Sequence, residues 1–376
     1  MKYFFLVGEA SGDLHAAPLI EAIKQRDPDA SFSGFGGDRM AAAGCTLYRH
    51  IRDLAFMGFV AVLKNISTIR RNFAIAKQSL LEAQPDVLIL VDYPSFNLKM
   101  AKFARQHLPN LRIVYYIPPK VWAWKRWRRK TILRLCDQVL CIFPFEPSFY
   151  NDPKAVYVGN PTAEECLSAQ RSFSDSGLAA QRSIIAVLPG SRRSEISHCL
   201  PKMLEAARRF PDYEIRIAQA PSVPAEFYEQ ITGETLPLYP STPLLLQQST
   251  VSIVNSGTAT LEAALLGCPQ VAVYHIALPH LAGLIWKAVF TIRHFTLPNI
   301  ILDLRDEQGR PLEVIRELLA YLFTVENIEA EVKRLLTDIP YRQTMLRHYD
   351  ELRQILGTEP AASRAADYIT KHGQLD

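Results

Sequence analysis

Cysteine is scarce in this chain and never closely paired. The six cysteines stand at 45, 136, 141, 166, 199 and 268 of 376 residues, and no two share the Cys-x-x-Cys spacing of a zinc ribbon or a redox dithiol. That excludes a disulfide-stapled scaffold, and a reducing cytoplasm fits best. Charge of one sign is also lacking. The 42 Lys and Arg against 38 Asp and Glu leave a net charge of +4, too little by itself to argue for nucleic acid. Gly8-Glu9 ends the first apolar run too early for a signal peptide. Residues 263–286 carry no charge, but Pro269 and Pro279 break the stretch and Gln270–Tyr274 reads as a strand, which rejects a membrane span. Neither the G-x-G-x-x-G dinucleotide fingerprint nor a phosphate-loop lysine motif occurs. With 48% hydrophobic and 21% charged residues, the chain is neither disordered nor fibrous.

What is present is strand–helix alternation. Apolar runs at Tyr3–Val7, Asp86–Val91, Arg112–Ile117 and Gln138–Phe143 form one series. Ser183–Leu188, Tyr213–Ala218, Val251–Val254 and Gln270–Tyr274 form a second. Several are apolar on both faces, as parallel strands covered by helices must be. Helical stretches such as Gly58–Ala83, Phe96–His107, Ser194–Phe210 and Ser256–Leu266 separate them. The fold class expected is therefore α/β, with two doubly wound, Rossmann-like domains enclosing a cleft, followed by C-terminal helices. The Ser-, Gln- and Ala-rich segment 159–182 reads as the boundary. The domains expected are 1–165 and 183–340, with 341–376 as helices packing back on the first domain or on a partner, which leaves a homodimer by exchange open. No strand signal is seen after about residue 310.

In such sheets ligands sit in the loops at the carboxyl ends of strands. Gly8-Glu-Ala-Ser-Gly-Asp13 crowds two glycines, Ser11 and two carboxylates, Glu9 and Asp13, into one loop. Either carboxylate suits proton acceptance or a sugar hydroxyl. Asp92 ends a fully apolar strand and suits a base or an orienting charge. Gly190, Ser191 and Arg192 open the first helix of the second half, where arginine opposes the helix dipole unless an anion is bound. Asn255-Ser256-Gly257-Thr258 makes a second small-residue nest, and Glu262 shares a helix face with Thr258, as a ligand of vicinal ribose hydroxyls would. Two anion loops and a hydroxyl-binding carboxylate together point to a nucleoside diphosphate. The stretch 117–130 holds three tryptophans and six Lys or Arg with no acid. Trp122, Trp124 and Trp127, with Lys125 and Arg126, suit an anionic membrane surface better than nucleic acid. Trp286, in the surface-seeking segment Leu278–Phe295, is a second membrane element. His275 and His280 lack a third ligand, so no metal is expected.

Seven stretches occur in an order that resembles the lipid-A-disaccharide synthases, inverting glycosyltransferases of the GT-B class. They are Gly8-Glu-Ala-Ser-Gly-Asp13, Met57-Gly58-Phe59, Asp92-Tyr-Pro-Ser-Phe-Asn97, Val121-Trp-Ala-Trp124, Leu188-Pro-Gly-Ser-Arg192, Ser256-Gly-Thr-Ala-Thr-Leu-Glu262 and Leu297-Pro-Asn299. The resemblance implies transfer of 2,3-diacylglucosamine from UDP-2,3-diacylglucosamine to 2,3-diacylglucosamine 1-phosphate, forming a β-1,6 link and releasing UDP. It implies no cofactor, and it places the enzyme in the cytoplasm, peripherally on the inner membrane. It also puts UDP on the second-domain loops and the acceptor near Gly8, Glu9, Ser11, Asp13, Asp92, Ser95 and Asn97, with Met57 and Asn299 as further substrate contacts. Many relatives read Asp-x-Pro-Asp-Phe-Asn, whereas this chain has Ser95 at the second acidic position. An unassisted serine is a poor proton acceptor, which leaves Asp92, Asp13 and Glu9 as alternative bases. Rival readings are another GT-B UDP-sugar enzyme with a different lipid acceptor, or a non-catalytic membrane- or RNA-binding protein working through the basic-aromatic stretch.

Overall fold

The computed structural model describes residues 1–53, 66–175, 183–255, 257–276 and 294–370. The chain divides into two compact units, Met1–Pro161 with Glu359–Asp376, and Thr162–Thr358.

The first unit is built on seven parallel strands: β1 (Lys2–Val7), β2 (Ser31–Gly36), β3 (Thr46–His50), β4 (Val87–Val91), β5 (Arg112–Tyr116), β6 (Gln138–Cys141) and β7 (Ala155–Tyr157). Their spatial order is β3-β2-β1-β4-β5-β6-β7. The chain leaves β1 toward one edge and resumes at β4 on the other side, so the topological switch lies between β1 and β4. β4, Val-Leu-Ile-Leu-Val, is buried along its whole length, as its unbroken apolarity requires. One face of the sheet packs against the helix Ala10–Lys24 through Ala16, Leu19, Ile20 and Ile23. The other face carries Leu88, Leu90, Ile113 and Tyr115 against Met100, Ala101 and Ala104 of the helix Pro94–His107.

The second unit has six parallel strands: β8 (Ile184–Leu188), β9 (Glu214–Ala218), β10 (Leu238–Tyr239), β11 (Val251–Val254), β12 (Gln270–Tyr274) and β13 (Glu317–Leu319). They are ordered β10-β9-β8-β11-β12-β13, which puts the switch between β8 and β11.

Where sequence and structure differ, the reasons are local. The stretch 159–182, which reads as the boundary, does hold the division between the units, at Pro161/Thr162. It is helical rather than irregular: the helix Pro161–Asp175 belongs to the second unit from Thr162 onward, where Gln170 Nε2 donates to the carbonyl of Leu265. Residues 341–376 do not act together. The helix Ile339–Leu356 buries Met345, Tyr349, Leu352 and Leu356 in the second unit, and Gln270 of β12 donates to the Tyr349 hydroxyl at 3.2 Å. Within the tail, the helix Ala361–Thr370 returns to the first unit and buries Ala362, Ala365, Ala366 and Ile369 in the core beside Ala10–Lys24. Arg26 reaches Asp367 and Ser363, and Arg112 donates to the carbonyls of Tyr368 and Ile369, capping the negative end of the helix dipole. β13 lies in the region where no strand was expected.

Candidate functional site

Both switch points gather the loops that the sequence singles out. In the first unit, the loops after β1 and β4 meet directly. Any Cβ built on Gly8 would lie 2.3 Å from ring carbons of Tyr93, so only glycine lets the β1 loop lie against that ring. Gly12 is required in the same way, its Cβ position falling 2.7 Å from Val7 Cγ1. Asp92 and Tyr93 both stand in the left-handed region, at φ 43° and 46°. Their strain is held by buried Asn97, whose Nδ2 donates to the carbonyl of Asp92 at 2.7 Å, while the Tyr115 hydroxyl donates to the same oxygen at 2.7 Å. The Asp92 carboxyl is thereby fixed at the carboxyl end of the sheet. Burial pushes its pKa up, against the opposing pull of the Lys120 charge and the Tyr93 amide. Glu9 is the N-cap residue of the helix Ala10–Lys24, and its charge is felt by the Tyr93 phenol. Ser11 and Ser95 are exposed in the first turns of their helices.

Asp13 is not a free carboxylate. It is buried, and it accepts from the amides of Gly37 (2.8 Å), Arg39 (3.1 Å) and Met40 (3.1 Å), fastening the turn after β2. Its lone pairs are committed to backbone, so it positions the site rather than moving a proton.

In the second unit, the loops after β8, β9 and β11 line an open pocket of about 290 Å³ that includes Gly190, Ser191, Gln219, Asn255, Thr258 and Glu262. Gly190 sits at φ 119°, and a Cβ there would collide with Glu195 and Asn255. Asn255 staples the floor, its side chain donating to the carbonyl of Pro189 at 2.8 Å. Glu262 is partly buried, and burial next to the Glu165 charge pushes its pKa up to about 7. The anion nest is not open as the sequence suggests. Glu195 accepts from the amides of Ser191 (3.0 Å) and Arg192 (3.3 Å) and from Arg192 Nη1 (3.2 Å), so the helix start carries its own carboxylate. Gln219 and Thr242, which also line the pocket, had no motif to announce them.

Other expected residues part company. Asn299 is buried and saturated. Its Nδ2 donates to Ile315 O and Glu317, and its Oδ1 accepts from the amides of Val314 and Ile315. Glu317 further accepts from the amides of Phe295 and Thr296. Asn299 is thus a bracket for β13 and has no atom left for substrate. Of the tryptophans, Trp122 is 8% exposed. Its indole N–H donates to Glu146 at 3.0 Å, and its ring packs edge-on against Phe145, so it belongs to the interior. Trp124 and Trp127 are 43% and 66% exposed, each with a cation over its ring, Lys125 at 3.9 Å and Arg128 at 5.5 Å. Glu146, absent from the sequence reading, is fully buried and also accepts from the amides of Ile142 and Phe143. Burial pushes its pKa up to about 7. His275 stacks on His198 with centroids 4.4 Å apart. Met57, Ser256 and Trp286 lie outside the described residues, as does His280. Among the described residues no helix is long and apolar enough to cross a membrane.

Comparison with known proteins adds the following. A family model described as lipid-A-disaccharide synthetase matches residues 3–355. A lipid-A-disaccharide synthase of Myxococcus xanthus is 36% identical over 386 aligned positions, covering 98% of this chain and 96% of that protein. One from Trichlorobacter lovleyi is 35% identical with the same coverage. Among solved structures, the UDP-GlcNAc 2-epimerase of Neisseria meningitidis bound to UDP-GlcNAc superposes with a TM-score of 0.64 at 11% identity, covering 99% of this chain and all of that one. The calicheamicin glycosyltransferase CalG4 gives 0.59 at 14% identity, with 98% and 97% covered. At such identities the structural likeness speaks for the fold alone.

Proposed function

Because the chain belongs to the lipid-A-disaccharide synthetase family, we propose an assignment of its reaction to individual residues. The protein is a GT-B glycosyltransferase of lipid A biosynthesis, acting on a UDP-sugar and a lipid-linked sugar. The substrates assigned to it are UDP-2,3-diacylglucosamine and 2,3-diacylglucosamine 1-phosphate.

UDP occupies the pocket of the second unit, with its ribose hydroxyls donating to Glu262. Its diphosphate takes over the amides of Ser191 and Arg192 from Glu195, and Arg192 is released to the phosphates. Asp92 accepts the proton of the acceptor 6-hydroxyl as that oxygen attacks the anomeric carbon. The bond from that carbon to UDP breaks with inversion, and the electron pair leaves on the diphosphate. Glu9 orients the acceptor from the adjoining loop. The observation that carries this reading is that two carboxylates, Asp92 and Glu262, stand at the switch points of the two sheets, where ligands of doubly wound sheets bind.

Both substrates bear acyl chains, so the enzyme works at a bilayer. Trp124, Trp127 and the cations over their rings support peripheral attachment to the cytoplasmic face of an inner membrane.

The test is UDP release from UDP-2,3-diacylglucosamine in mild detergent, with and without 2,3-diacylglucosamine 1-phosphate. Release should require both lipids and yield a disaccharide. Asp92→Asn should cut turnover by roughly 10²- to 10⁴-fold while UDP binding persists. Unimpaired turnover in that variant would remove Asp92 from the proton transfer.

A further inference from the structure

The first unit holds a cation beside Asp92 that the proton transfer leaves unused. β4 and β5 run in register as far as Val91 and Tyr116, so their loops leave the sheet side by side. The Asp92 amide donates to the carbonyl of Ile117 at 3.2 Å. Ile117 itself stands at φ 57°, which makes three left-handed non-glycine residues at this one crossing. Pro118 and Pro119 stiffen the next step, and Lys120 follows at once. The Lys120 side chain is exposed, and its ammonium lies 5.9 Å from the centre of the Phe143 ring. Glu146, the other carboxylate whose charge reaches it, is committed to Trp122 and two amides. From Tyr93 to Cys136 the chain has no Asp or Glu at all. The loop thus presents an ammonium whose charge reaches the carboxylate that takes the acceptor proton, in surroundings of positive charge.

We infer that Lys120 is a specificity-determining residue that recognises the phosphate monoester of the acceptor sugar. The inference rests on the reading that the Asp92 loop receives the acceptor. Lysine suits the task as a compact point charge on a flexible stem, able to follow a phosphate without bidentate geometry. It also couples recognition to chemistry. An unscreened Lys120 draws the Asp92 proton off and weakens the base, whereas a phosphate dianion on Lys120 cancels that pull. The correct acceptor therefore strengthens the base that acts on it.

The experiment compares 2,3-diacylglucosamine 1-phosphate with 2,3-diacylglucosamine as acceptors, in the wild type, Lys120→Gln and Lys120→Arg, by UDP release in detergent micelles. Wild type should prefer the phosphorylated acceptor. Lys120→Gln should raise KM for that acceptor roughly 10- to 100-fold without raising KM for the unphosphorylated one, and so collapse the discrimination in KM, with Lys120→Arg restoring most of it. Calorimetric UDP binding in each variant reports that the protein is folded. Unchanged discrimination in Lys120→Gln, or an equal loss on both acceptors, overturns the inference. A shift of the acid limb of the pH–rate profile with discrimination intact overturns it in favour of electrostatic tuning of Asp92. If wild type makes no disaccharide from either acceptor, the underlying reading fails as well, which separates the two failures.

Discussion

Glu262 is both a liability to the fold and, on the reading above, a ligand of ribose, so Glu262→Gln should raise stability while lowering nucleotide affinity. Burial beside Glu165 moves the Glu262 carboxyl from an ordinary 4.5 up to about 7. Its charged form is therefore disfavoured in the folded state. Below pH 4.5 the group is protonated whether the chain is folded or not, and nothing is lost. The penalty grows as pH rises from 4.5 to 7 and is complete above 7. A displacement of that size corresponds to about 3 kcal/mol at most. Glu262 is partly exposed, and solvent screening reduces the figure to about 1–2 kcal/mol. For a unit of this size the variant should melt roughly 2–8 °C higher at pH 8, and the advantage should shrink to about a quarter at pH 5. UDP affinity should fall roughly tenfold, because a neutral amide replaces a charged acceptor. Wild type should release a proton on binding UDP near pH 7, measurable by titration calorimetry in buffers of different ionisation enthalpy. A variant no more stable than wild type at pH 8, or one whose gain is the same at pH 5 and pH 8, would refute the reasoning.

The remaining predictions separate structural from functional residues. Asn299→Ala removes side-chain bonds to Ile315, Glu317 and Val314 and should destabilise the second unit by about 2–4 kcal/mol in denaturant titrations, with KM for both substrates unchanged. Trp127→Ala should weaken sedimentation with anionic vesicles without altering the melting temperature. Trp122→Phe should do the reverse, costing about 1–3 kcal/mol by taking a donor from buried Glu146 and leaving vesicle binding intact.

The parts of the fold legible in the sequence are those whose signal is local. Val87–Val91 and Ile184–Leu188 announce buried parallel strands because every residue is apolar. Gly8 and Gly190 announce close approaches because their loops also carry Glu9, Ser191 and Arg192. What is not legible depends on partners distant in sequence. Ser31–Gly36 has serines and glycines where a strand usually has branched side chains, and it is recruited by pairing with β1. Glu317–Leu319 is short and begins with a carboxylate, whose burial makes sense only once Thr296 and Asn299 are seen to surround it. Which of three nearby tryptophans turns inward was decided by Glu146, 24 residues further on. Asp13 reads as one of three candidate bases because its loop is rich in polar groups, while the amides it serves come from another turn.

The return of Ala361–Thr370 to the first unit bears on how the protein is made. The second unit is one uninterrupted stretch, Thr162–Thr358, set between two parts of the first. During synthesis the nascent chain emits seven strands and their helices, yet the part of Ala10–Lys24 that meets Ala361–Thr370 has no cover until that helix emerges. The unit encoded second can thus finish first, and the unit encoded first waits exposed through the whole translation of its neighbour. A chain stopped before residue 359 would lack Ala362, Ala365, Ala366 and Ile369 and leave the core they fill open to solvent. The helix Ala361–Thr370 thus decides when the first unit is complete, although it is encoded after the whole of the second.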